Sequence, residues 1–132
     1  MRQLTDAARL RLFMRELGRR ARASGRAYLV GGACAVLLEW RPTTIDIDLE
    51  LDPALEALLR DVPAINERCQ VNVELASPAR VIPELPGWRE RSPFIVRDGL
   101  VSFHHYDLYA QALSKVERAH AMDLDDVRDG EA

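Results

Sequence analysis

The sequence predicts one α/β (α+β) domain, a mixed β-sheet backed by helices. Three observations predict it. Leu10, Phe13, Met14, Leu17 and Ala21 recur at spacings of three and four, which puts one apolar stripe on a helix. Residues 44–51 (TIDIDLEL) and 70–75 (QVNVEL) alternate polar and apolar side chains, the period of a strand with one buried face. Residues 94–96 and 100–104 flank Arg97-Asp98-Gly99, which reads as a hairpin closed by an Asp-Gly turn.

The elements follow in order. Thr5 or Asp6 can cap a first helix that runs to about Ser24, with Gly25 as its stop. Residues 28–30 form a short buried strand, Gly31-Gly32 a turn, and residues 33–40 a helix packed on the sheet. Arg41-Pro42 ends that helix, because the residue before proline avoids the helical region. The alternating strand 44–51 comes next. Asp52-Pro53 then resembles an N-cap with proline at the first helical position, opening a short helix to about Arg60. After strand 70–75 comes a loop with Pro78, Pro83, Pro86 and Gly87, then the hairpin. Asp107 can cap a long helix to about Ala119, and a last helical turn or two starts near Asp123. The chain thus divides into an N-terminal helix (1–26), a sheet region (27–105) and a C-terminal helical segment (106–132).

The 132 residues suffice for one domain with a modest core, and 48% hydrophobic residues favour folding over disorder. No apolar run approaches the roughly 18 residues of a membrane span, and the first residues lack the apolar centre of a signal peptide. Cys34 and Cys69 have no metal-binding spacing and read as reduced thiols, so a cytoplasmic location is expected. The net charge of −3 gives no overall signal for nucleic acid. The charge is uneven, however. Arginines crowd residues 2–26, acids crowd 123–131, and Lys115 is the only lysine. An arginine cluster is either a solvated helix face or a footprint for phosphates.

Asp46 and Asp48 pose the functional question. On one strand they project to the same face, about 7 Å apart by strand rise. Like charges that close repel unless a cation sits among them. Hard carboxylate oxygens suit Mg²⁺ or Mn²⁺, and Glu74, on the polar side of the other alternating strand, is the best third ligand. The competing reading is an exposed strand with an acidic outer face. Gly31-Gly32 ahead of a helix favours the first, since glycine lets a phosphate chain approach the backbone. His104 and His105 point to opposite faces and do not form a ligand pair. Trp40, Trp88, Tyr106 and Tyr109 read as packing or loop anchors.

At these residues the chain resembles the nucleotidyltransferases of the DNA polymerase beta superfamily. Val30-Gly31-Gly32, thirteen residues, then Asp46-Ile47-Asp48 matches their opening motif, and Val73-Glu74-Leu75 matches the later acid between hydrophobics. The closest branch resembled is that of the abortive-infection, type IV toxin–antitoxin nucleotidyltransferase toxins. Their C-terminal lysine corresponds to Lys115 and their last acidic segment to residues 122–127, where Met122 replaces a usual lysine. The resemblance implies an antiparallel-leaning sheet backed by helices, with NTP and Mg²⁺ between the glycine turn and the acids. It implies transfer of a nucleoside monophosphate to an acceptor, RNA or tRNA, with release of pyrophosphate, and a cognate antitoxin as partner. Asp46, Asp48 and Glu74 would hold metal, and Glu74 would help deprotonate the acceptor. Lys115 would neutralise triphosphate charge, with Arg118, Gly31, Gly32 and Thr44 as further nucleotide contacts and Asp123 as an orienting group. Two alternatives remain: modification of a partner protein, and a binding or scaffold module without turnover.

Overall fold

The computed structural model describes the backbone of residues 3–131 and the side chains of residues 3–121. Its elements are β1 (Thr5–Asp6), α1 (Ala7–Arg20), β2 (Gly25–Val30), α2 (Gly32–Leu37), β3 (Thr43–Thr44), β4 (Ile47–Leu51), a 3₁₀ segment (Pro53–Asp61), α3 (Val62–Cys69), β5 (Val73–Leu75), a 3₁₀ turn (Pro78–Arg80), β6 (Phe94–Asp98), β7 (Val101–His105) and α4 (Leu108–Glu131). Five strands form one mixed sheet in the order β5-β4-β2-β7-β6. β2 runs antiparallel to β4 and parallel to β7, β4 runs parallel to β5, and β6 and β7 close the antiparallel hairpin. β1 and β3 make a separate two-stranded pairing.

The sheet has two covered faces, and alternation along β2 and β4 sorts side chains between them. Ala27, Leu29, Ile47 and Leu49 point into the main core with Leu10, Phe13, Met14 and Leu17 of α1. Tyr28 points to the other face, into a smaller cluster with Trp88 and Tyr106, whose rings stack at 4.4 Å and 9°. Register pairing sets Tyr28 opposite Glu50 and Val30 opposite Asp48, so both acids lie on this second face.

The elements depart from the sequence reading in several places. α1 is capped by Asp6, which accepts from the Arg9 N–H at 2.9 Å, but ends at Arg20, and Gly25 opens β2 instead of stopping the helix. The helix after the glycine turn ends at Leu37; Glu39 takes a left-handed φ of 63° and Trp40 is 69% exposed rather than an anchor. Residues 44–51 are not one strand: β3 ends at Thr44, a bend intervenes, and β4 starts at Ile47, so Asp46 precedes the strand. Asp52 makes no cap. It accepts instead from the Arg26 N–H at 2.9 Å and from Arg89 at 3.0 Å.

Helix α3 has no counterpart in the sequence reading, which opens a strand at Gln70; Gln70 instead takes a left-handed φ of 55° at the end of α3. Gln70 therefore caps α3 and does not share the polar face of β5. Asp107 does cap α4, accepting from the Tyr109 N–H at 3.1 Å. The expected break near Ala119 is absent, since α4 runs unbroken to Glu131. Among the described residues no helix is long and apolar enough to cross a membrane.

Candidate active site

The glycine turn joins β2 to α2 at the end of the second sheet face. Gly31 has φ 66° and ψ −126°, a backbone that side-chain-bearing residues avoid. A Cβ built there would lie 3.6 Å from Asp48 Oδ2, so the turn's backbone passes directly beside that carboxylate. A Cβ on Gly32 would collide with the Thr44 side chain, its Cβ only 2.9 Å away, and would come within 3.6 Å of an Arg41 guanidinium nitrogen. Gly31 is thus required by its backbone conformation, and Gly32 by the side chain that stands next to it.

Asp48 lies inside β4, and its parallel partner across the ladder is Glu74 of β5. Side chains of paired residues share a face, so these two carboxylates stand side by side. Asp46 arrives differently. It sits in the bend before β4, where its Oδ1 accepts from Asn72 Nδ2 at 2.7 Å and Thr44 Oγ1 donates to its carbonyl at 3.1 Å. The Asp48 carboxyl is pushed above the usual aspartate range, first by burial, then by the negative charges of Glu74 and Asp46, while Arg118 pulls it back. The three acids therefore interact through space, with Arg118 of α4 the cation that answers them.

Among the described residues no group of three or more His, Cys, Asp or Glu side chains is arranged to hold a metal ion. The Asn72 amide holds the Asp46 carboxylate, and Glu74 is exposed. Two oxygen donors of suitable hardness, with a third beside them, meet the chemical needs of Mg²⁺ or Mn²⁺, which take substrate phosphate oxygens and water as remaining ligands.

Helix α4 supplies the other wall. Gln111, Lys115 and Arg118 fall at i, i+4 and i+7, one face of the helix. Gln111 is buried; its Oε1 accepts from the Gly31 N–H at 2.7 Å and its Nε2 donates to the Tyr106 carbonyl at 2.7 Å. Cys34 lies beneath the turn with its thiol donating to the Leu29 carbonyl at 3.0 Å, and burial pushes that thiol up to about 11. The Lys115 charge, one helical turn beyond Gln111 on α4, acts weakly against that rise. Lys115 and Arg118 are exposed. Asp123 lies outside the residues whose side chains are described.

Thr44 is a strand residue, the last of β3, beside the Asp46 bend. It is buried, packs on the Gly32 backbone and turns its hydroxyl to the Asp46 carbonyl, so it braces the bend. Three residues that the sequence reading did not assign to the site belong to it: Gln111 holding the turn, Asn72 holding Asp46, and Arg41 beside Gly32. The signal for Gln111 was its position one helical turn before Lys115; nothing in the sequence marks Arg41.

Replacement of Gln111 by alanine leaves the Gly31 N–H and the Tyr106 carbonyl unpaired in a buried position. The expected cost is about 2–3 kcal/mol in urea unfolding. Gln111→Glu should not restore stability, since its second oxygen would face the Tyr106 carbonyl. An unchanged midpoint in Gln111→Ala would show that α4 does not hold the turn.

No protein-family model, curated protein or solved structure matches the chain.

Proposed function

We propose that the protein is a metal-dependent nucleotidyltransferase that moves a nucleoside monophosphate from an NTP to an acceptor hydroxyl. The acceptor proposed is RNA, tRNA in particular, and the setting proposed is that of a toxin with a cognate antitoxin. The observation that carries the reading is the Asp48 carboxylate, set against the Gly31 backbone and crowded by Asp46 and Glu74. Crowded carboxylates of this kind lower stability without a cation, which supports a cation-dependent reading of the site.

In this reading the acceptor oxygen forms a bond to the α-phosphorus as the bond to pyrophosphate breaks. The acceptor proton passes to Glu74, which is exposed and stands beside Asp48. Asp46 and Asp48 would hold the divalent cation, with Glu74 joining them, and it would supply charge neutralisation at the phosphates and a more acidic acceptor hydroxyl. Lys115 and Arg118, at i+4 and i+7 from Gln111 on α4, would offset triphosphate charge. Gln111 keeps the turn in its left-handed conformation, and Asn72 sets the rotamer of Asp46.

A second reading is a binding module without turnover, favoured by the hydrogen bond that engages Asp46 and by the lack of a ready three-acid group among the described residues. Incubation with each α-labelled NTP, Mg²⁺ or Mn²⁺, and total bacterial RNA separates the cases. Transfer of label to RNA, lost on chelation, is the expected result. Label on a protein instead would redirect the proposal to a protein acceptor. Binding of NTP without any transfer would leave the module.

A further inference from the structure

At the end of β2 opposite the glycine turn, a groove of about 750 Å³ opens between the last turn of α1 and the 3₁₀ segment Pro53–Asp61. Arg19, Arg20, Arg22 and Arg60 line it, against one acid, Asp61. Arginines near a helix C-terminus are ordinary, since they complement the dipole there. What stands behind these is not. Glu16 is only 8% exposed, and its Oε1 receives Arg19 at 2.7 Å, Arg20 at 3.0 Å and Arg68 at 3.7 Å. One buried carboxylate thus organises three guanidiniums. Arg19 and Arg20 hold the Glu16 carboxyl down at about 2, so it stays charged at any physiological pH.

The charges do not balance. Arg20 reaches Asp61 at 3.6 Å, and Arg22 and Arg60 add to the rim, so five guanidiniums meet two carboxylates. The Arg19 and Arg68 side chains remain 63% and 65% exposed, with donors left for another anion. A lone exposed arginine costs much side-chain entropy to order, but guanidiniums already fixed by Glu16 lose less on meeting a phosphate. Between them the groove is lined by Ala21, Ala23, Ala54 and Ala57 together with Leu55 and Leu58, and by no aromatic residue. A strand of repeated phosphates can lie close along such a surface, and nothing there stacks on or reads a base.

We infer that this groove docks the phosphate backbone of a nucleic acid, without base readout. The six residues of β2 separate it from the glycine turn by about 20 Å at strand rise. The polyanion that fills both places is therefore extended, not a mononucleotide. The docking itself needs neither NTP nor metal, so it stands apart from the transfer reaction.

Fluorescence anisotropy of end-labelled 20-nucleotide RNA and DNA of mixed sequence, in chelator and without NTP, tests it. Affinity should fall steeply between 50 and 200 mM salt and be alike for different sequences. The Arg22→Glu/Arg60→Glu double variant should bind about tenfold or more weakly, with a log–log salt slope shallower by about two. Arg11→Glu/Arg97→Glu, two exposed arginines that do not line the groove, matches the change in net charge and should bind as the parent does. RNA-only binding would add a 2′-hydroxyl contact to the same site. Salt-independent binding, no binding of either strand, or an equal loss in the control variant would overturn the inference.

Discussion

Asp48→Asn should abolish nucleotidyl transfer, by about a thousandfold or more, while making the metal-free protein more stable. The first effect follows from the proposed function, in which Asp48 would lose its anionic oxygen for the cation, and a thousandfold corresponds to about 4 kcal/mol of transition-state stabilisation. The second follows from the sign of the pKa shift. Asp48 is raised in the fold by burial and by the neighbouring Glu74 and Asp46 charges. A carboxyl whose folded pKa exceeds its unfolded value near 3.8 favours folding below that value, and the contribution is lost as pH rises through the folded pKa. At neutral pH the ionised group therefore opposes folding. Asparagine keeps the shape and removes the charge, so the variant should melt a few degrees higher at pH 7. The gain should vanish near pH 3. Added Mn²⁺ should stabilise the parent and not the variant. A variant that transfers label at the parental rate, or melts lower than the parent at pH 7, would contradict the role given to Asp48.

Much of the fold was legible because local chemistry and tertiary packing agree there. The α1 stripe, the Asp6 and Asp107 caps and the Asp-Gly hairpin each combine a local preference with a buried face. The misreadings fall where the two conflict. Residues 44–51 alternate without interruption, yet β3 pairs with β1 and β4 with β2, and the chain must bend between two partners. Local pattern carries no trace of a change of partner. α3 is missing from the sequence reading, although Pro63 sits in its first turn, where proline is tolerated.

The site was legible in part for the same reason. Asp48 and Glu74 come together because their strands pair in parallel and in register; alternation put each acid on the polar side of its strand but did not give that pairing. Asp46 reaches them from a bend, so its neighbourhood owes nothing to strand periodicity and depends on Asn72 and Thr44. Arg41 and Gln111 lie on other elements that touch the glycine turn only through the tertiary fold. A spacing rule within one segment has no access to such contacts.

Gly18→Ala should be the most damaging single substitution outside the site, at about 3 kcal/mol, the upper end of what overpacking a well-filled interior costs. Alanine is the best helix former, so in an exposed helix this change would stabilise by about 1 kcal/mol. The surroundings reverse the sign. A Cβ on Gly18 would meet the Asp98 backbone carbon at 2.7 Å and the Asp98 Cβ at 2.6 Å, and collide with the Asp98 carbonyl oxygen. Backbone cannot swing aside as a side chain can. A Cβ on Gly99, in turn, would lie 2.6 Å from the Gly18 carbonyl oxygen, and Gly99 holds φ 57°. Helix and hairpin turn thus touch backbone to backbone, and a methyl group on either side must push α1 off the β6–β7 hairpin. That hairpin flanks β2, whose far end carries the glycine turn, so the whole sheet would feel the shift. Urea unfolding should show a lower midpoint with an unchanged slope. Gly99→Ala should behave alike, with the added strain of its left-handed backbone, and the double variant should cost less than the sum, because both disrupt one contact. A Gly18→Ala protein as stable as the parent, or more so, would mean that α1 does not lie against the hairpin in the folded chain.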